Sequence, residues 1–251
     1  MEEKKQKKRK IICNVAYTKY EIVKHLAEKV FFWSLSIAED DEEWDLLWTD
    51  NAVPPDRLAR MKQYQKINHF PGMYSISRKN YLAYNLNKLK KIFPDDYNFF
   101  PKTWVVPSDL GDLKSFLQGK KKPFLIVKPE ASCQGKGIFL TKRYEDIDCA
   151  SKHVVQEYIS KPFLIDNLKF DLRIYVLLTG CSPLRIFVHN EGLTRFATEK
   201  YLKPSHSNIH NTCMHLTNYA VNKAIRISFK IPAKVWAMLD IKGLCSRLFR
   251  T

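Results

Sequence analysis

The chain has 251 residues, of which 45% are hydrophobic, so it can bury a full core as one large domain or two small ones, and general disorder is disfavoured. Its 42 lysines and arginines exceed its 26 acidic residues, and the resulting formal net charge of +16 favours an acidic partner: nucleic acid, an anionic membrane or an acidic polypeptide. The six cysteines are widely spaced without a C-x-x-C pair, which argues against a disulfide framework or a zinc ribbon.

Residues 1–10 are predicted to be a basic tail, because they carry six lysines and arginines against two glutamates. We expect no signal peptide, since the apolar stretch that follows, Ile11 to Tyr17, is short and contains Asn14. No apolar run approaches the ~18 residues that a membrane span requires. The sequence therefore predicts a soluble intracellular protein without a membrane partner.

A small N-terminal α/β domain is predicted over residues 11–71. Ile11–Ala16 is a strand candidate, Tyr20–Phe32 has apolar residues at helical spacing, and Trp44–Trp48 is a second strand expected to pair beside the first. A short helix is predicted over Arg57–Gln65. The turn residues that follow place a domain boundary near Pro71.

Alternating helices and strands are expected after this boundary. Proline stops the first helix, and Ser108 is the expected N-cap of the second. The predicted order is helix Arg78–Phe93, strand Phe99–Val106, helix Asp109–Leu117, strand Phe124–Pro129 and strand Ile138–Leu140. Three further strands are predicted at Val154–Ile159, Asp171–Thr179 and Leu184–Val188.

A glycine loop between two strands is the first candidate for ligand chemistry. Gly135 and Gly137 could fold backbone N–H groups over a polyphosphate, although a mobile hairpin turn has the same composition. The residues after Gly137 favour a strand over a helix, which disfavours Rossmann and Walker loops. Lys128 ends the preceding apolar strand, and a buried ammonium is costly unless an anion compensates it.

Charged residues alternate along a second strand. Alternation sends Lys169, Asp171 and Arg173 to one face, and Phe170 and Leu172 to the other. The charged face is either a ligand site or an internally neutralised salt-bridge ladder. Further along, Arg195 and Lys200 supply cations that could hold carboxylate or phosphate, with surface ion pairing as the alternative.

Histidines concentrate at His206, His210 and His215, near Cys213. The spacing could serve a metal, but the surrounding proline and asparagines are typical of a solvated loop, so free histidines are expected. Nucleophilic catalysis is not indicated, because the chain has no G-x-S-x-G elbow and no cysteine in an activating context.

Five motifs follow one another along the chain. They are K-I-N-H-F-P-G at Lys66–Gly72, C-Q-G-K-G-I at Cys133–Ile138, Q-E-Y-I at Gln156–Ile159, K-F-D-L-R at Lys169–Arg173 and M-H-L-T-N-Y at Met214–Tyr219. Together, and in this order, they resemble the tubulin tyrosine ligase-like family, and the first and third look most like its polyglutamylase branch. The similarity runs from about Asn14 to Lys223.

The resemblance implies an α/β (α+β) fold of the ATP-grasp type, in which ATP lies between two subdomains. The central subdomain would cover residues 72–157, and an incomplete C-terminal subdomain residues 158–223. Implied ATP-binding residues are Lys128, Gln134, Gly135, Gln156, Glu157, Tyr158, Ile159, Lys169, Phe170, Asp171, Thr217 and Asn218. Arg195 and Tyr219 would hold the incoming glutamate, and Gln134 and Lys136 the protein substrate. Lys136 stands where Arg is more usual, so one bidentate contact is expected to be weaker.

The implied activity is that of an ATP-dependent amino-acid ligase, a tubulin polyglutamylase with ATP and Mg²⁺ as cofactors and free L-glutamate as substrate. A glutamate side chain of the acidic tubulin tail would be activated as an acyl phosphate, mostly through positioning and charge neutralisation. The resemblance implies a cytoplasmic, cytoskeletal location, with cilium or basal body left open. The competing interpretation is a non-catalytic binder of microtubules or tubulin tails. Nucleic acid ranks third, because the aromatic residues lie in apolar strand contexts.

The family pattern ends after Lys223, and residues 224–251 are expected to be a divergent tail. Relatives need an Asp and a Glu–Asn pair downstream to hold magnesium, whereas Asp240 is the last carboxylate of this sequence. The expectation is a truncated or divergent ligase with an incomplete metal site and little or no activity of its own.

Overall fold

The computed structural model describes residues 9–120, 122–130 and 135–222. The chain divides into two units, Met1–Ser77 and Arg78–Thr251. The predicted basic tail lies largely outside the described residues, and the predicted divergent tail lies wholly outside them. No helix in the described ranges is long and apolar enough to cross a membrane.

The first unit is built on a four-stranded parallel sheet in the order β2-β1-β3-β4. Cys13, Val15 and Ala27 form its buried core. The predicted pairing of the second aromatic strand beside the first is confirmed, since β3 pairs with β1. The strands are β1 Ile12–Tyr17, β2 Ser34–Ser36, β3 Leu46–Thr49 and β4 Lys66–Ile67, and the helices are α1 Glu21–His25, α2 Pro55–Ala59 and α3 Tyr74–Ser77.

Two helix predictions in this unit were wrong in detail. The helix expected over Tyr20–Phe32 is α-helical only in α1 and continues as a π-helix over Leu26–Val30. The helix expected over Arg57–Gln65 ends at Ala59. Gln65 instead turns inward, and its Nε2 donates hydrogen bonds to the backbone carbonyls of Glu42 and Trp44, just before β3, at 2.8 and 2.9 Å. A buried amide that needs partners therefore overrides the helical spacing.

The second unit begins with helix α4 and an antiparallel sheet in the order β5-β8-β6-β7. The predicted hairpin around the glycine loop is confirmed, because β6 pairs antiparallel with β7. Helix α5 packs on one face of the sheet, where Trp104, Leu113 and Val127 are buried. The elements are α4 Lys79–Ile92, β5 Thr103–Val106, α5 Leu110–Gln118, β6 Leu125–Pro129, β7 Phe139–Thr141 and β8 His153–Glu157, with a 3-10 turn at Tyr144–Asp146.

The expected Ser108 cap of α5 was wrong. Asp109 is the N-cap residue, and no side chain caps the helix. The Asp109 carboxylate instead accepts the N–H of Val105 at 2.8 Å, so it serves the neighbouring strand.

The remaining strands form a second sheet, in the order β13-β10-β9, and a separate β11–β12 hairpin. The single strand expected over Asp171–Thr179 is divided between β10 and β11, and β13 was not predicted at all. The elements are β9 Leu164–Ile165, β10 Leu168–Arg173, β11 Val176–Cys181, β12 Leu184–Val188, β13 Leu193–Lys200, α6 Thr212–His215 and α7 Tyr219–Asn222. The fold is thus mixed α/β, as predicted.

Candidate functional site

Lys128 lies on β6 and faces Gln156 on the adjacent strand β8. Its Nζ donates a 2.8 Å hydrogen bond to Oε1 of Gln156, whose Nε2 donates at 2.8 Å to Oγ1 of Thr103 on β5. Burial lowers the pKa of Lys128, and the nearby charge of Lys79 lowers this pKa further. Lys128 thus lies near the end of β6 with its ammonium partly desolvated.

Lys169 on β10 carries the second half-buried ammonium. Its Nζ donates to the Tyr158 hydroxyl at 2.9 Å and to the His215 carbonyl at 2.8 Å, and it lies 4.3 Å from the Tyr158 ring centroid. Burial lowers the pKa of Lys169 to about 8, the charge of Lys128 lowers it too, and Asp171 opposes them. Lys128 and Lys169 are therefore close enough to repel each other.

Neither lysine forms an ion pair in the described part of the chain. Two desolvated, mutually repelling cations are unfavourable by themselves, and a polyanion between them would relieve both the desolvation and the repulsion. Among the described residues, Lys128 and Lys169 thus make a site suited to phosphate.

His215 anchors Lys169 through its backbone carbonyl and is fully buried. The Tyr158 hydroxyl oxygen lies 3.1 Å from Nδ1 of His215, and Nε2 of His215 lies 3.3 Å from Oδ1 of Asn208. Burial, and secondarily the charge of Lys169, lowers the pKa of His215, which favours the neutral ring. Burial also raises the pKa of Tyr158. The expectation of a free loop histidine was wrong here, because α6 packs His215 into the core.

Asp171 and Arg195 are cross-strand partners on β10 and β13. Arg195 donates from Nε to Oδ1 at 2.7 Å and from a terminal nitrogen to Oδ2 at 2.8 Å, and Thr217 donates to Oδ2 at 2.5 Å. The guanidinium predicted to hold a free glutamate is therefore engaged by an internal carboxylate. This bidentate pair fixes the second sheet beside Lys169.

The glycine loop has the backbone that its sequence predicted. Gly135 and Gly137 have φ angles of +85° and +69°. A Cβ on Gly135 would lie 3.0 Å from side-chain atoms of Asn218 and Val221, so glycine lets the loop approach α7. Predicted residues Gly135 and Asn218 are thus brought together.

The other predicted residues are placed unevenly. Gln134 lies outside the described residues, and of Tyr219 the structure describes the position in α7 but not the side chain. Ile159 is exposed, and so is Lys136. The Glu157 N–H donates at 2.9 Å to the carbonyl of Lys102, the residue before β5. The centroid of the Phe170 ring lies 5.7 Å from that of the Phe196 ring.

Two residues of the site were missed from the sequence. Lys79 donates from Nζ to the Pro129 carbonyl at 3.1 Å and lowers the pKa of Lys128, but in the sequence it is one of many lysines on a helix. Asn222 accepts the Thr198 N–H at 3.1 Å and donates to the Leu216 carbonyl at 2.8 Å, holding α7 against β13. No sequence signal distinguishes this asparagine from a surface one.

Comparison with known proteins gives the family of the chain. The tubulin-tyrosine ligase family model matches residues 57–235. The chain belongs to the tubulin-tyrosine ligase family. The resemblance drawn from the motifs is thereby confirmed.

Similar proteins are named as polyglutamylases. The chain is 55% identical over 219 residues to "Probable beta-tubulin polyglutamylase" of Tetrahymena thermophila, covering 86% of this chain and 18% of that protein. It is 50% identical over 220 residues to human tubulin polyglutamylase TTLL13, and 48% identical over 220 residues to mouse TTLL6. Both matches cover 88% of this chain, but only 27% and 26% of those proteins. The chain thus spans about a quarter, or less, of the length of these relatives.

Proposed function

We propose that the chain carries the nucleotide-binding part of an ATP-dependent tubulin glutamylase. The single observation that supports it most is the pair of half-buried lysines, Lys128 and Lys169, neither of which forms an ion pair among the described residues. In this proposal the two sheets of the second unit are the two ATP-grasp subdomains, and the phosphates bind between them. The family membership and the names of the relatives support the same reaction class.

The proposed reaction has two steps, a phosphoryl transfer followed by the formation of an amide bond. An oxygen of a tail glutamate's carboxylate attacks the γ-phosphorus of ATP, and ADP leaves. The amino nitrogen of free glutamate then attacks the activated carbonyl carbon, inorganic phosphate leaves, and the nitrogen loses a proton. The lysines contribute by neutralising the phosphate charge that moves in the first step.

The side chains of the site, led by Lys128 and Lys169, suit phosphate groups better than a metal ion. No group of three or more His, Cys, Asp and Glu side chains that could hold a metal ion occurs within the described ranges. The expected loss of magnesium ligands concerns residues outside those ranges, and it stays a prediction together with the expected low activity. We therefore assign no step to Mg²⁺.

Tubulin is the proposed protein substrate, with free L-glutamate as the co-substrate and the cytoskeleton as the location. A cilium or basal-body location stays a prediction. The competing function is binding of tubulin tails without catalysis, which the formal net charge of +16 favours. Tail binding that is sensitive to salt and unaffected by ATP would favour this alternative.

Thermal unfolding with and without ATP tests nucleotide binding, because a ligand that binds only the native state raises the melting temperature. We expect a clear rise that Lys128→Ala abolishes. Lys161→Ala is the matched control, since it removes the charge of an exposed lysine in the same unit. A folded chain with no rise at saturating ATP would contradict the proposal.

Incorporation of labelled glutamate into purified tubulin tests the reaction class. In the presence of ATP and magnesium, incorporation that requires Lys169 would support the ligase assignment and overturn the expected low activity. ATP-dependent melting without incorporation would leave nucleotide binding intact and support that expectation instead.

A further inference from the structure

A crevice lies at the carboxyl ends of strands β1 and β3 in the first unit, with a volume of about 490 Å³. The sheet order is β2-β1-β3-β4 and its strand pairs are parallel, so the chain leaves β1 to one side for β2 and returns to the other side for β3. Open parallel sheets bind ligands outside the carboxyl ends of the two strands between which the strand order reverses in this way. Tyr17 of β1 pairs with Thr49 of β3, so the two strands end at the same level. The crevice therefore lies where the topology favours a ligand site.

Hydrogen bonds hold the two walls of the crevice together. The Asp50 N–H donates to the Tyr17 carbonyl at 3.1 Å, and the Lys19 N–H donates to Oδ2 of Asp50 at 3.1 Å. The Tyr20 N–H donates to Oγ1 of Thr18 at 3.2 Å. The walls are thus formed without a ligand, which lowers the entropy cost of binding one.

Three polar side chains on these walls keep hydrogen-bonding capacity for a ligand. No ion pair in the described part of the chain includes Lys19 or Asp50. Oδ2 of Asp50 accepts the Lys19 N–H, and across the described ranges Oδ1 of Asp50 and the side-chain amide of Asn51 have no hydrogen-bond partner. The crevice therefore offers one ammonium, one carboxylate oxygen and one amide.

Tyr20 adds an exposed aromatic ring to the crevice. Its side chain is 54% exposed, and Nζ of Lys19 lies 5.8 Å from its ring centroid. The Tyr17 ring is engaged elsewhere, because the Arg57 guanidinium lies 4.7 Å from its centroid and its hydroxyl donates to the Glu39 carbonyl. Tyr20 is therefore the ring on which a planar group can stack, close to the ammonium of Lys19.

We infer that this crevice, which we call the β1–β3 crevice, binds a ribonucleoside monophosphate. Lys19 neutralises the phosphate, Oδ1 of Asp50 accepts a ribose hydroxyl, and Tyr20 stacks on the base. One carboxylate oxygen suits a hydroxyl better than an ammonium, which needs several acceptors, so a zwitterionic amino acid fits less well. The volume lies in the range of small-molecule sites. The crevice belongs to the first unit and the two lysines of the phosphate site to the second, so the inference goes beyond the proposed function.

Isothermal titration calorimetry with uridine monophosphate tests the inference. We expect saturable binding, with a Kd that Lys19→Gln and Asp50→Asn each raise about tenfold, because each removes a charge-assisted contact. Lys10→Gln and Asp40→Asn are the matched controls, since they make the same charge changes at exposed residues of the first unit outside the crevice. The controls should leave the Kd within about twofold. No saturable binding at about 1 mM nucleotide, or equal losses in the control variants, would overturn the inference.

Two ligand analogues test the individual contacts. The 2′-deoxy form of uridine monophosphate should bind the unmodified chain several-fold more weakly than the ribonucleotide does, whereas Asp50→Asn should bind the two alike. Uridine, which lacks the phosphate, should bind the unmodified chain more weakly and lose nothing further in Lys19→Gln. Equal binding of all three compounds to the unmodified chain would refute the assigned contacts.

Lys128→Ala separates the β1–β3 crevice from the phosphate site of the second unit. The Kd for uridine monophosphate should be the same in this variant as in the unmodified chain. A loss in Lys128→Ala without a loss in Lys19→Gln would assign the nucleotide to the second unit and contradict the inference. Tighter binding of glycine than of the nucleotide, dependent on Lys19 and Asp50, would assign the crevice to zwitterionic amino acids and also contradict it.

Discussion

Lys169 is expected to make ATP binding weaken as the pH rises through about 8. Burial, and then the charge of Lys128, lowers the pKa of Lys169 to about 8 from its ordinary value of 10.5. Only the protonated amine attracts phosphate, so affinity follows the protonated fraction. The contribution of Lys169 to the stability of the fold depends on pH in the opposite direction. The native chain binds fewer protons than the unfolded chain between pH 8 and 10.5, so the contribution of Lys169 to stability rises across that window.

The size of the binding effect follows from the titration. With a pKa of about 8 for Lys169, the protonated fraction falls from about nine-tenths at pH 7 to about one-tenth at pH 9, which raises the Kd for ATP about tenfold. Bound phosphate raises the pKa of the amine, so binding at pH 8 should take up about half a proton. Isothermal titration calorimetry in two buffers of different ionisation enthalpy measures both quantities.

Lys169→Arg is the control, because a guanidinium stays charged throughout this range. Provided that this variant still binds ATP, its affinity should change little between pH 7 and 9. An affinity independent of pH in the unmodified chain, or an unchanged slope in Lys169→Arg, would refute the reasoning.

Two stability predictions follow from the loop and from α7. Gly135→Ala should destabilise the chain by about 1–2 kcal/mol, because φ is +85° and the new Cβ meets neighbours at 3.0 Å. Gly111→Ala, with open space around its Cβ position in α5, should be neutral or stabilising, and equal melting temperatures for the two variants would contradict this. Asn222→Ala should cost about 1–3 kcal/mol in chemical denaturation, because it strands the buried Leu216 carbonyl and the Thr198 N–H. A loss below about 0.5 kcal/mol would show that water replaces the amide.

Elements with local signals were predictable from the sequence. Proline after an apolar helical stripe placed α4 to within one residue at each end, and β12 was placed at its observed bounds. The alternation along β10 put Lys169, Asp171 and Arg173 on one face. Lys169 and Asp171 there contact His215 and Thr217, whereas Arg173 is exposed. In each case the spacing of the apolar residues, and the residues that end the element, lie within one short stretch of sequence.

Features that depend on distant partners were not predictable in the same way. β13 carries mixed polar residues, and its strand character comes from pairing with β10. His215 was assigned to a loop because its neighbours are turn-forming residues, whereas contacts with Tyr158 and Tyr201 bury its ring. The pairing of Arg195 with Asp171 joins residues 24 positions apart. Such contacts are set by tertiary packing, which overrides local propensity.

The position of the ATP phosphates is the most direct test of the account. A crystal structure of the chain with a non-hydrolysable ATP analogue should place phosphate oxygens within hydrogen-bond distance of Nζ of Lys128 and Nζ of Lys169. We also expect the Gly135 loop to lie over the phosphates. A bound nucleotide whose phosphates contact neither lysine would contradict the central claim.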